Sequence, residues 1–206
     1  MSDNMTDDVS DSDSVAPTRI LVVEDSATQA EALRSLLVRH RYEADVARSG
    51  EQALEMVDRQ DYQLILSDVV MPGISGFDLC HRIKEQPGRE NIPLVLLTSL
   101  ADPLDILRGL ECGAGNYVTK PYDPEGLITR IRYVLASSGR RNASRHDTRP
   151  VNISLRGQSF SIAAPKEQVL DLLVSSFEDL VRTTQAIRET EAQARFLAEA
   201  SELLSS

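Results

Sequence analysis

Leu64-Ile65-Leu66-Ser67-Asp68-Val69-Val70-Met71-Pro72-Gly73 is the stretch on which the fold turns. A short, mostly apolar run ends in a carboxylate, and Gly73 and Gly76 then flank a loop. Outward from it the same design repeats. Ile20-Leu21-Val22-Val23 runs into Glu24-Asp25, Leu94-Val95-Leu96-Leu97 ends in Thr98, and Tyr117-Val118-Thr119 ends in Lys120-Pro121. Short apolar runs alternating with helix-like stretches predict strands of a parallel α/β sheet, buried on both faces. Ligands of such sheets bind beyond the carboxyl ends of the strands. Three acids, a hydroxyl and an ammonium are therefore expected at one end of one sheet.

That set suits Mg²⁺ and a phosphoryl group. Mg²⁺ takes near-octahedral oxygen ligands and keeps several waters, so two or three carboxylates plus a phosphate oxygen match it. Asp25 and Asp68 are the expected direct ligands, with Glu24 held through a water. Lys120 offers a mobile point charge for a phosphate, and the Thr98 hydroxyl can donate to one of its oxygens. Each acid alone would pass for a solvated loop residue. Five such residues, each at a strand end, would not.

Between Thr18 and Ser138 the chain resembles the receiver domain of two-component response regulators. The residues that carry the likeness are Glu24-Asp25, Asp68 in Ser67-Asp68-Val69-Val70-Met71-Pro72-Gly73, Gly76, Thr98 and Lys120-Pro121. The resemblance implies a flavodoxin-like, doubly wound five-stranded parallel sheet of order 2-1-3-4-5. It implies that Asp68 accepts a phosphoryl group from a histidine kinase or phosphotransfer protein. It also makes Thr98 and Tyr117 a switch pair: Thr98 moves toward the phosphate and Tyr117, just before the fifth strand, swings inward behind it. Val70 and Leu100 stand two residues after Asp68 and Thr98, positions that in receivers influence how water reaches the acyl phosphate. Apolar side chains cannot orient water by hydrogen bonds, so slow self-dephosphorylation is expected. Asp68 is then a nucleophile in one covalent step, and the protein a switch rather than an enzyme.

Composition narrows the setting. With 206 residues and 41% hydrophobic content, the chain has room for one domain of about 120 residues and a smaller part. A net charge of −10 disfavours nucleic acid or anionic membrane as a partner. The apolar runs are too short to span a bilayer. Cys80 and Cys112 lack CxxC pairing and read as thiols of a reducing compartment. A cytoplasmic protein is expected.

Local signals divide the chain. Residues 1–17 hold five aspartates, four serines and one proline, an acidic tail predicted to be disordered and not a signal peptide. Residues 18–138 form the receiver-like body. In it Ser26 caps a helix with Ala30, Leu33, Leu36 and Leu37 on one face, and Tyr42, Ala44 and Val46 alternate as an edge strand would. Further helices carry Ala53, Leu54 and Val57, then Phe77, Leu79 and Ile83, then Leu104, Leu107 and Leu110. A last one starts at Pro124. Residues 139–150 carry four arginines without an apolar period and read as a linker. Residues 151–164 alternate as a β-hairpin around Arg156-Gly157-Gln158-Ser159. An isolated hairpin is marginal in water, so it needs a packing partner.

Residues 165–206 predict a long helix. Leu170, Leu173, Phe177, Leu180, Thr184 and Ile187 follow heptad spacing, so a homodimeric coiled coil is expected. The final Arg195–Leu204 stretch looks like the entry helix of a further sensor module, which would make the chain an N-terminal piece of a hybrid sensor kinase. A DNA-binding regulator is the rival outcome. Residues 151–206 carry five basic against eight acidic side chains, net −3, and no helix-turn-helix spacing, both against DNA. A constitutive docking scaffold is a third reading, which the intact acceptor site disfavours. The motifs disfavour a kinase or an Asp-x-Asp phosphatase. His40, His81 and His146 lack a kinase setting, no Gly-rich nucleotide region follows, and Val70 stands where the phosphatase needs its second acid.

Overall fold

Successive side chains of a strand point to opposite faces, so a run such as Ile20-Leu21-Val22-Val23 is stable only where both faces are covered. The computed structural model describes residues 17–98, 103–114, 116–141 and 150–162, plus the isolated helical positions 181, 184 and 188. Strands β1 (Arg19–Val23), β2 (Glu43–Ala47), β3 (Leu64–Asp68), β4 (Leu94–Thr98) and β5 (Asn116–Thr119) form one parallel sheet, ordered β2-β1-β3-β4-β5. Helices α1 (Ala27–Arg39), α2 (Gly50–Arg59), α3 (Gly76–Glu85) and α4 (Pro103–Glu111) connect them, and α5 (Pro124–Arg141) follows. This is the expected doubly wound, flavodoxin-like arrangement.

The faces divide as the alternation demands. Ile20 and Val22 pack with Leu33 and Leu37 of α1 and Ile128 and Ile131 of α5. Leu21 and Val23 pack with Ala53 and Val57 of α2 and Leu79 and Ile83 of α3. Each fully buried Leu or Ile contributes about 1.5–3 kcal/mol, so the central strands are fixed from both sides. Ser26, Ser49 and Ser75 cap α1, α2 and α3 by accepting from Gln29, Gln52 and Asp78 backbone N–H groups. Gly76 opens α3 so close to the Asp68 carbonyl that a Cβ there would collide with it. Cys80 and Cys112 are both buried free thiols, each donating to a backbone carbonyl, of Cys112 and Gly109 respectively.

Three boundaries differ from the sequence reading. Helix α5 runs to Arg141, three residues into the stretch read as linker. Tyr117 lies inside β5 and not ahead of it. The hairpin of β6 (Val151–Leu155) and β7 (Gln158–Ile162) has a two-residue turn, since Gln158 and Ser159 already belong to β7. Arg156 and Gly157 have φ of 51° and 79°, the paired left-handed conformations that match the strand twist of a hairpin. The hairpin's partner is α4. Phe160 and Ile162 are buried in the cluster that holds Leu110, and the Ser161 N–H donates to Glu111 Oε1 at 2.9 Å. The proposed dimer seam (Leu170, Leu173, Phe177, Leu180, Ile187), most of the acidic tail, positions 142–149 and Leu100 lie outside the described residues.

Candidate functional site

Parallel register gathers the strand ends. Val23 lies opposite Ser67 and Ala47, Asp68 opposite Leu97, and Thr98 opposite Thr119. The residues just beyond β1 and β5, Glu24-Asp25 and Lys120, therefore flank Asp68. Lys120 is further tied to β4, because its backbone N–H donates to the Thr98 carbonyl at 2.7 Å.

Charge organises the rest. Glu24 is 1% exposed and Asp68 9% exposed, while Asp25 is open to solvent. The Lys120 Nζ donates to Asp68 Oδ2 at 2.7 Å, Glu24 Oε2 at 3.0 Å and Gln29 Oε1 at 3.0 Å. The other Asp68 oxygen, Oδ1, accepts from the Val70 N–H at 3.3 Å, and Glu24 Oε1 accepts from the Ser26 N–H at 3.2 Å. Burial by itself lowers the Lys120 pKa, but the bonds to Asp68 and Glu24 outweigh it. The net position is above the ordinary lysine value, so the ammonium is charged at neutral pH.

Three carboxylates and one ammonium leave an excess of negative charge in a partly buried place, which costs energy unless a cation joins them. One oxygen from each of Glu24, Asp25 and Asp68 can lie within 4.8 Å of the others. An all-oxygen, carboxylate-rich set of this size fits Mg²⁺. When bound, the ion would neutralise charge on a transferring phosphoryl group. Thr98, buried at the tip of β4, and Lys120 stand at the same rim. Val70 is 58% exposed beside Asp68, and its side chain offers no hydrogen-bonding group.

The arrangement coincides with a known domain: the model of the response regulator receiver domain matches residues 20–132. The chain belongs to the response regulator receiver family. It is 39% identical over 122 residues to the sensory transduction protein RegX3 of Mycobacterium tuberculosis, covering 59% of this chain and 52% of that protein. It is 41% identical over 114 residues to the response regulator PleD of Caulobacter vibrioides, covering 55% and 25%. The chain thus spans about half the length of RegX3 and less of PleD. Among solved structures, the receiver domain of a signal transduction histidine kinase from Syntrophus aciditrophicus is 37% identical, with TM-score 0.56, covering 68% of this chain and 98% of that one. The chemotaxis protein CheY4 of Vibrio cholerae is 28% identical, with TM-score 0.56, covering 58% and 99%.

Of the described receiver residues singled out by sequence, Glu24, Asp25, Asp68, Val70, Thr98 and Lys120 sit at this end of the sheet, whereas Tyr117 is buried within β5. Its hydroxyl stands where a side chain at Gly109 of α4 would begin, so only glycine admits the ring in this position. Three participants escaped the sequence reading. They are Gln29, Gly109, and Arg48, whose guanidinium donates to the Asp25 carbonyl at 2.6 Å. Gly109 had a usable signal, since glycine inside a helix costs about 1 kcal/mol and asks for a reason. Arg48 had none. Among the described residues no helix is long and apolar enough to cross a membrane.

Proposed function

We propose that this chain is a phosphorylation-controlled switch of a two-component phosphorelay. Asp68 accepts a phosphoryl group from a phosphohistidine of a histidine kinase or phosphotransfer protein. A carboxylate oxygen forms the new O–P bond, the N–P bond breaks with its electron pair staying on nitrogen, and the imidazole leaves neutral, keeping the proton its other ring nitrogen already carried. The observation that carries this reading is the Lys120 ammonium held between Asp68 and the buried Glu24, beside a carboxylate set fit for Mg²⁺. Self-dephosphorylation is slow because Val70 and Leu100, two residues after Asp68 and Thr98, are apolar and cannot orient an attacking water by hydrogen bonds. No further enzymatic activity is assigned.

The signal leaves through the hairpin on α4 and the C-terminal segment that follows it, which pairs with a second copy through Leu170, Leu173, Phe177, Leu180 and Ile187. The 37% identity to the receiver of a histidine kinase favours a second reading, in which this receiver serves a larger sensor kinase. Sedimentation with Mg²⁺, with and without beryllofluoride, on wild type and Asp68→Ala tests the switch. A change in mass or shape confined to the wild type is expected. Identical behaviour of the two proteins would remove Asp68 as its trigger.

A further inference from the structure

Helices α1 and α2 begin with the same signature, Ser26-x-x-Gln29 and Ser49-x-x-Gln52. In a capping box the glutamine reaches back to the N-cap backbone N–H. Gln52 reaches back along its own chain in a similar way, one residue further, accepting from the Arg48 N–H at 2.7 Å. Gln29 does not. The Ser26 N–H goes instead to Glu24 Oε1 at 3.2 Å, and the Gln29 carbonyl oxygen accepts from Lys120 Nζ at 3.0 Å across 91 residues of chain. Glu24 thus takes over the local capping bond, and the amide is diverted into the acidic mouth.

We propose that Gln29 is the positioning residue for Lys120 during phosphoryl acceptance; this rests on the phosphoacceptor reading of Asp68. An ammonium has three donors and no acceptor. Here they go to Asp68, Glu24 and Gln29. Two of those acceptors, Asp68 and Glu24, also belong to the carboxylate set that fits a divalent cation. When their oxygens turn to the cation and to the incoming phosphoryl group, their hold on Lys120 weakens. Gln29 is the acceptor outside that set, so it keeps the ammonium at the mouth. Being neutral, it does this without repelling the phosphoryl oxygens, as a glutamate in its place would. Its backbone lies in the first turn of α1, where Ser26 accepts from its N–H.

The test follows phosphoryl uptake from acetyl phosphate with Mg²⁺, and the beryllofluoride dissociation constant. Both are measured on the full chain for wild type, Gln29→Met, Lys120→Met and the double variant. Methionine keeps the length of the side chain and removes the acceptor. Gln29→Met is expected to slow uptake and weaken beryllofluoride about tenfold, the scale of one hydrogen bond to a charged group, with an unchanged unfolding midpoint. In the Lys120→Met background the same substitution should change neither quantity, because a positioning residue acts only through what it positions. Unchanged uptake in Gln29→Met would overturn the proposal, as would an equal loss in both backgrounds. A wild type that takes neither phosphoryl group nor beryllofluoride would instead sink the phosphoacceptor reading, and this role with it.

Discussion

All five residues of β3 are buried, whereas all five of β6 are exposed. The two strands have the same length and a similar share of branched aliphatics, and they differ in what covers them. Strand β3 lies mid-sheet, between β1 and β4 with helices over both faces. Among the described residues strand β6 has one hydrogen-bonded neighbour, β7, and of the two only β7 buries side chains, Phe160 and Ile162, against α4. A group that must meet a phosphoryl donor with fixed geometry belongs on the first kind of strand. An element that must shift without unfolding the domain belongs on the second, since local opening is cheapest where few apolar groups are buried.

The largest expected effect comes from β3. Leu66→Ala opens a cavity in the centre of the sheet and should cost about 3–4 kcal/mol by urea denaturation. A loss below about 1 kcal/mol would mean that β3 is no better held than the hairpin. An intermediate effect lies at the other edge of the sheet, where the Tyr62 hydroxyl donates to Asp45 Oδ2 at 3.0 Å. Burial first, and then Asp45, push the Tyr62 pKa up to about 12 from an ordinary value near 10. The folded value is the higher one, so the full contribution is present below pH 10 and is lost as pH rises toward 12. Solvent reaches part of the ring and screens the interaction, so the change should stay below about 2 kcal/mol. Tyr62→Phe should flatten that alkaline loss, and an unaltered pH profile would assign it elsewhere. The smallest effect is Phe160→Ala. It should lower global stability by less than about 1 kcal/mol while speeding amide exchange in β6 and β7 only. Faster exchange throughout the β1–β5 sheet would show that the hairpin is part of the core after all.

The contrast also marks what could be read from the chain. Uninterrupted apolar runs reported β1, β3 and β4, and the alternation of Ala44 and Val46 reported the edge strand β2, because burial on two faces or one leaves different periods. Glu24, Asp25, Asp68, Thr98 and Lys120 were legible since each terminates a strand or lies just beyond one, and parallel pairing brings strand ends together. The hairpin was legible too, but not its seat on α4. That contact depends on Phe160, Ile162 and the Glu111 carboxylate meeting across some 50 residues, and no local period encodes it. Gln29 was hidden for a different reason. Ser26-x-x-Gln29 has a sufficient local explanation as a capping box, and it takes the bonds from Ser26 to Glu24 and from Lys120 to Gln29 to reveal that the amide is engaged elsewhere.

The bond between Lys120 and Glu24 spans 96 residues, and that from Lys120 to Asp68 spans 52. Chains are made from the N-terminus, so a ribosome-bound length that has emerged only as far as Thr98 carries Glu24, Asp25 and Asp68 without their ammonium. Their mutual repulsion then works against closing that end of the sheet, until β5 adds the last strand and Lys120 just beyond it pairs with Glu24 and Asp68. A chain that ends before Lys120 therefore lacks the ammonium that joins Glu24 to Asp68.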